Sequence, residues 1–126
     1  MHVFMTKWFA RFARQECIAN TSLREAIARA DRGLIDADLG GGLIKQRIGR
    51  QGQGRSGGHR VIVAYRVKGR AVFLFGFAKS DRENIGPDEL ASLRVFGNRW
   101  QSADEIQIAL GIREDEIQEI TDGEEA

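Results

Sequence analysis

The chain has 126 residues, 42% of them hydrophobic and 29% charged, with a net charge of +1. That is enough for one domain with a core of its own, needing no disulfide or metal. No apolar run approaches the roughly 18 residues that span a bilayer, and the start has no signal-peptide pattern. A single cysteine, Cys17, excludes an intramolecular disulfide and fits a reducing cytoplasm.

Residues 3–5 read as a short first strand. Trp8, Phe9, Phe12 and Ala13 then recur at helical spacing, with Lys7, Arg11 and Arg14 on another face. Cys17 is expected to be a small buried hydrophobe. Ser22-Leu23-Arg24-Glu25 has the form of a capping box. Leu23, Ala26, Ile27, Ala30 and Leu34 follow as an apolar helix face, and Gly33 is a stop signal.

Three strands are expected next. Residues 43–49 alternate, with Ile44, Gln46 and Ile48 on one face and Leu43, Lys45 and Arg47 on the other. The glycine-rich residues 50–58 lack periodicity and read as a loop. Residues 60–67 are rich in β-branched side chains, and residues 71–79 are almost continuously apolar. The link Lys68-Gly69-Arg70 is short enough for a hairpin.

Gly86-Pro87-Asp88-Glu89 opens a helix, with proline and acids in the first turn. Its inner face carries Leu90, Leu93 and Trp100, with Phe96 or Gly97 between them. Ser102-Ala103-Asp104-Glu105 reads as a second capping box, for a short helix ending at Gly111. Residues 116–120 are a candidate last strand. The fold class is α+β: two N-terminal helices packed on an antiparallel sheet of three to four strands, followed by C-terminal helices. Residues 1–112 read as the domain and residues 113–126 as an acidic tail, with that candidate strand inside it.

Charge is distributed unevenly. Residues 1–112 carry 18 basic and 11 acidic side chains; residues 113–126 carry one basic and seven acidic. The tail is either a solvated end or a segment that folds back over the basic body. From Leu39 to Lys79 there are nine Lys or Arg and no Asp or Glu, together with ten of the fifteen glycines. A surface kept merely soluble mixes signs, so a purely cationic sheet points to phosphate and to nucleic acid.

The familiar catalytic motifs are absent. There is no phosphate-binding GxxxxGK[ST] loop, no GxSxG elbow and no Cys/His metal spacing, and no cofactor is implied. Two acidic pairs, Asp36 with Asp38 and Asp81 with Glu83, flank the sheet; they have the chemistry to bind Mg²⁺, but at hairpin or loop ends such acids are more often solvated or capping groups. Lys45 and Arg47 share a strand face, Arg60 and Arg66 are candidates for the same face, and His59 and Lys79 lie at strand ends. Arg50 and Arg55 add charge in the glycine-rich segment. Metal-free RNA cleavage needs a base for the 2′-OH, charge stabilisation of the phosphorane and an acid for the leaving oxygen. Arginine forks, a lysine of lowered pKa and a histidine together can supply these roles.

Residues 39–47, Ser56-Gly57-Gly58-His59-Arg60 and Phe75-Gly76-Phe77-Ala78-Lys79 resemble the RelE/HigB-like toxins of bacterial type II toxin–antitoxin systems. The likeness runs from Val3 to about Trp100 and includes Thr6-Lys7-Trp8-Phe9. It implies a compact RelE-type fold and ribosome-dependent cleavage of mRNA. It also implies a cognate antitoxin, of helix-turn-helix type, covering the basic surface. By position it carries candidate catalytic roles to Lys45, Arg47, Arg60 and, more loosely, Lys79. Members often place a Tyr or His late in the sheet to stack on the nucleotide or move a proton. Here the one tyrosine is Tyr65, in a central strand, so Phe77 is left for stacking, and His59 or Lys79 for proton transfer. Lys7, Arg11 and Arg14 are expected to bind RNA. The alternatives are a ParE-like inhibitor of a protein target such as DNA gyrase, and an RNA-binding relic without catalysis.

Overall fold

A computed structural model describes residues 1–50, 54–82 and 84–121; the side chains of residues 50 and 54–57 lie outside that description. The chain runs β1 (His2–Thr6), α1 (Lys7–Gln15), α2 (Asn20–Asp31), β2 (Ala37–Gly40), β3 (Leu43–Arg50) and β4 (Gly54–Tyr65). It continues through β5 (Arg70–Ala78), α3 (Pro87–Ser102), α4 (Glu105–Arg113) and β6 (Ile117–Glu119). Among the described residues the strands form one six-stranded sheet, in the order β2-β3-β4-β5-β1-β6.

That sheet corrects the expectation of three to four antiparallel strands. The first strand runs parallel to β5, so the sheet is mixed. The parallel pairing is possible because α1 to β4 lie between β1 and β5 in sequence, ample length for a crossover. The unexpected strand β2 is short and half-polar. Its two-residue link to β3 uses Gly41 and Gly42, both with positive φ, as a tight hairpin requires. The supposed loop over residues 50–58 is largely ladder: β3 runs through Arg50, which pairs with Gly54, and residues 51–53 lie outside the described residues. At Gly58 a Cβ would lie 2.1 Å from the Ile48 carbonyl oxygen, so only glycine fits that close crossing.

Helices cover both sheet faces. On one, α1 and α2 bury Phe9, Ala13, Leu23, Ala26 and Ile27 against Val3, Ile44, Val61, Val63 and Phe73. On the other, Trp100 of α3 and Ile108 of α4 bury against Phe4, Leu43, Ile62, Val72, Leu74 and Ile117. Both capping-box readings move, the first by three residues toward the N-terminus and the second by two toward the C-terminus. Helix α2 starts at Asn20 without a side-chain cap, and the cap of α4 is Asp104, reciprocated by Gln107. Leu34 lies beyond α2 and is exposed. Gly97, not Phe96, faces inward from α3: a Cβ there would meet Leu43 at 3.0 Å. Cys17 is exposed, because it takes the left-handed position after α1, with φ 57, where the chain turns outward.

Two buried polar groups tie the helices to the sheet. Gln46 is fully buried, and its Nε2 donates to the carbonyls of Ala26 and Leu34 while its Oε1 accepts from Asp36 N–H. Tyr65 donates its hydroxyl to Asp31 Oδ1 at 2.5 Å. Burial, reinforced by that hydrogen bond, raises the phenol from 10.0 to about 12. A raised phenol favours the protonated fold, so this contribution is complete below pH 10 and is lost as pH climbs from 10 to 12. Tyr65 is the one tyrosine of the chain, so its ultraviolet difference spectrum is unambiguous. We expect the native tyrosinate band to rise near pH 12 and the Asp31→Asn variant to ionise lower.

Candidate nucleic-acid interface

The alternation of β3 sends Leu43, Lys45 and Arg47 to the α3 side of the sheet, since Leu43 belongs to that core. Register does the rest. Lys45 pairs with Ile62, and Arg47 lies directly opposite Arg60. Arg60 in turn lies opposite Phe77 of β5. Leu74 has no partner between the Ile62–Phe75 and Val63–Phe73 pairs, and this bulge re-phases β5 so that Phe75 and Phe77 also face α3. The result is a cross-strand row, Arg47-Arg60-Phe77, with Lys45 beside it.

Two guanidinium groups directly opposite each other repel, by roughly 0.2–1 kcal/mol for such a pair. Neither is neutralised completely. Arg47 Nε is 3.4 Å from Asp36 Oδ2 without a hydrogen bond, and Arg60 Nη1 is buried with no hydrogen-bond partner. The backbone at Arg47 is fixed at a point where β2 has already ended. Its N–H donates to Asp36 Oδ2 and its carbonyl accepts from Arg29 Nη2, each at 2.5 Å. Asp36 and Arg29 thus do for β3 what a neighbouring strand would do.

Arg82 joins the row from the turn after β5. Its guanidinium lies 5.5 Å from the Phe77 ring centroid and is gripped by both carboxylate oxygens of Glu89. The Glu89 carboxyl falls to about 2, first through that hydrogen bond and then through the Gly86 N–H. Lys79 leaves β5 at the same end of the sheet, exposed, its N–H donating to the Gly58 carbonyl at 3.1 Å.

The other sequence-derived candidates fall elsewhere. His59 lies on the α1–α2 side, 2% exposed, with Nε2 2.8 Å from Glu16 Oε1 and Phe12 edge-on to its ring. It is next to Arg60 in sequence but on the opposite face. Arg66 is at the far end of β4, where Nη2 donates to the Gln101 carbonyl. Six residues of strand, about 20 Å, separate it from Arg60. Lys7, Arg11 and Arg14 are exposed along α1. The side chains of Arg50 and Arg55 lie outside the described residues. Phe77, the expected stacking residue, is 4% exposed.

Sequence reasoning missed Trp8 and Phe75. Their rings stack at 4.7 Å with 23° between planes, and Trp8 also stacks on Phe12 at 5.7 Å. Trp8 remains 46% exposed. At 100° per residue Trp8 lies at one edge of the arc formed with Phe9, Phe12 and Ala13, and an edge position is the signal for partial exposure. The signal for Phe75 was weaker, because it depends on the bulge.

Among the described residues no group of three or more His, Cys, Asp or Glu is placed to hold a metal ion. None of the described helices is long and apolar enough to cross a membrane. Two described acids of the C-terminal stretch pair away from the row: Glu116 with Arg99 at 3.2 Å and Glu119 with His2 at 2.9 Å. No curated protein matches the chain. The family model described as the RelE toxin of the RelE / RelB toxin-antitoxin system matches residues 1–120, a span holding both helical layers and the whole arginine row, and the chain belongs to that family.

Proposed function

We propose that the chain stops translation by cutting mRNA on the ribosome, through attack of a 2′-OH on the adjoining phosphate. The observation that carries this reading is the direct opposition of Arg47 and Arg60, with a buried, unbonded N–H on each guanidinium. A phosphorane places extra negative charge on equatorial oxygens, and two fixed forks meet those oxygens without reorganising. The repulsion between the forks in the free protein becomes attraction to the shared anion.

In this reading Lys45, on the same face, takes the 2′-OH proton. Lys79 supplies a proton to the leaving 5′-oxygen. His59 has no direct part, since its imidazole is bonded to Glu16 behind the sheet. A cognate antitoxin, a partner that the family implies, would silence the protein by covering the row; a helix-turn-helix antitoxin is the form proposed.

Primer extension on mRNA translated in vitro, with and without ribosomes, tests the reading. Cuts that need ribosomes support it; intact mRNA from folded protein, together with DNA damage in expressing cells, would replace it with inhibition of a protein target. The exposed stripe Lys7, Arg11 and Arg14 is assigned to ribosomal RNA. Changing all three to alanine is expected to reduce ribosome pelleting at least tenfold, more steeply at low salt. Antitoxin binding should persist. Equal pelleting would reject that assignment.

A further inference from the structure

A groove of about 430 Å³ opens on the α3 side of the sheet, and Phe75 in its wall lies two residues before Phe77, the β5 member of the row. Trp8 and Phe75 form one wall, Leu93, Phe96 and Trp100 of α3 another, and Leu74 the floor. Its size lies within the roughly 300–1,000 Å³ of clefts that hold small organic groups. We propose that this groove is a nucleobase subsite, taking the base of a nucleotide next to the phosphate held by Arg47 and Arg60. The inference rests on the RNA-cleaving reading of that row.

Accessible aromatic surface is the first argument. Phe77 borders Arg60 but is 4% exposed beneath Arg82, so it offers no face to a base. Phe75 is the next aromatic along β5 on the same side, its ring 6.4 Å from that of Phe77. Trp8, stacked on Phe75, is 46% exposed, and Phe96 across the groove is 52% exposed. Every base has a π-face, so an aromatic wall of this kind binds bases with little regard to sequence.

Charge is the second. Arg99 at the rim is bonded to both carboxylate oxygens of Glu116 and stacked 4.4 Å from the Trp100 ring. The groove is therefore built for a flat apolar group rather than for phosphate, while the unpaired guanidinium N–H groups lie in the arginine row. A ligand with a planar ring on one side and an anion on the other is a nucleotide.

The test measures binding of a short labelled RNA, 2′-O-methylated so that it cannot be cut, by fluorescence anisotropy. A series carrying one abasic residue at successive positions locates the base. With the wild-type protein one abasic position is expected to weaken binding by about 5- to 150-fold, the range of base–aromatic stacking. Trp8→Leu should weaken the intact RNA to a similar degree and erase the penalty at that position, while Trp8→Phe restores most of it. Arg60→Ala should weaken every member of the series alike.

If no abasic position matters to the wild-type protein, yet Arg60→Ala still weakens binding, the subsite is refuted and the arginine row stands. If the folded wild-type protein does not bind the intact RNA at all, the subsite is refuted, and the arginine row is judged by ribosome-dependent cutting in primer extension. Loss of antitoxin binding in Trp8→Leu, with RNA binding and its abasic profile unchanged, would assign the groove to the antitoxin instead.

Discussion

Replacing Arg60 by alanine is expected to slow mRNA cleavage by about 10²–10³-fold, the usual consequence of removing one stabiliser of transition-state charge, and to abolish growth inhibition. Arg47→Ala should follow closely. The fold should survive both changes, because each removes one of two opposed like charges. The thermal midpoint is therefore expected to stay level or to rise slightly for Arg60→Ala, whose Nη1 is buried with no hydrogen-bond partner among the described residues. Arg47→Ala gives up the 3.4 Å approach to Asp36, but the backbone bond from Arg47 N–H to Asp36 remains. Arg60→Lys separates charge from shape: it keeps the cation, loses the planar fork, and should retain an intermediate rate. Full toxicity in both alanine variants would refute the catalytic row. Lost toxicity accompanied by a lowered midpoint would instead assign the residues to stability.

The face of that row was legible from alternation alone. Residues 43–48 divide between the two sheet faces as their period of two requires, and Arg60 follows from the same rule in β4. His59 illustrates the rule's neglected side. Being adjacent to Arg60, it must point the other way, and its burial against Glu16 was implied by the pattern that recommended Arg60. What alternation does not carry is the interruption of itself. The bulge at Leu74 turns Phe75 and Phe77 onto the α3 face, and the one glycine of that strand, Gly76, lies two residues beyond it, where a Cβ would meet the Phe12 ring at 2.4 Å. The cation over Phe77 likewise comes from a turn, where position depends on the Glu89 grip from α3 rather than on local spacing. Strand β2 escaped because four residues with an exposed aspartate lack a periodic signal. Its existence depends on Gly41 and Gly42 closing a hairpin onto an already formed β3.

Residues 113–126 carry seven acids, and the candidate strand within them is β6, Ile117–Glu119. Deleting residues 113–126 is expected to unfold the protein or to lower its thermal midpoint by well over about 10 °C. Ile117 and Ile120 are 2% and 1% exposed, and removing a buried isoleucine typically costs about 2–5 kcal/mol. Two such losses approach the whole stability of a domain this size, about 5–15 kcal/mol. The backbone loses more. β6 pairs with β1 at Phe4, Met5 and Thr6, and the Ile120 carbonyl accepts from Arg24. Without it, β1 becomes an apolar edge open to pairing with other chains. Deletion of residues 122–126 alone keeps Ile117 and Ile120 and removes three acids, Asp122, Glu124 and Glu125. That shorter truncation is the valid test of charge shielding. A shielding tail predicts tighter RNA binding after its removal, most clearly at low salt. Unchanged affinity across salt would leave the acids as a solvated end. If the longer deletion folds with an unchanged midpoint, Ile117 and Ile120 do not hold the sheet together and their structural role is refuted.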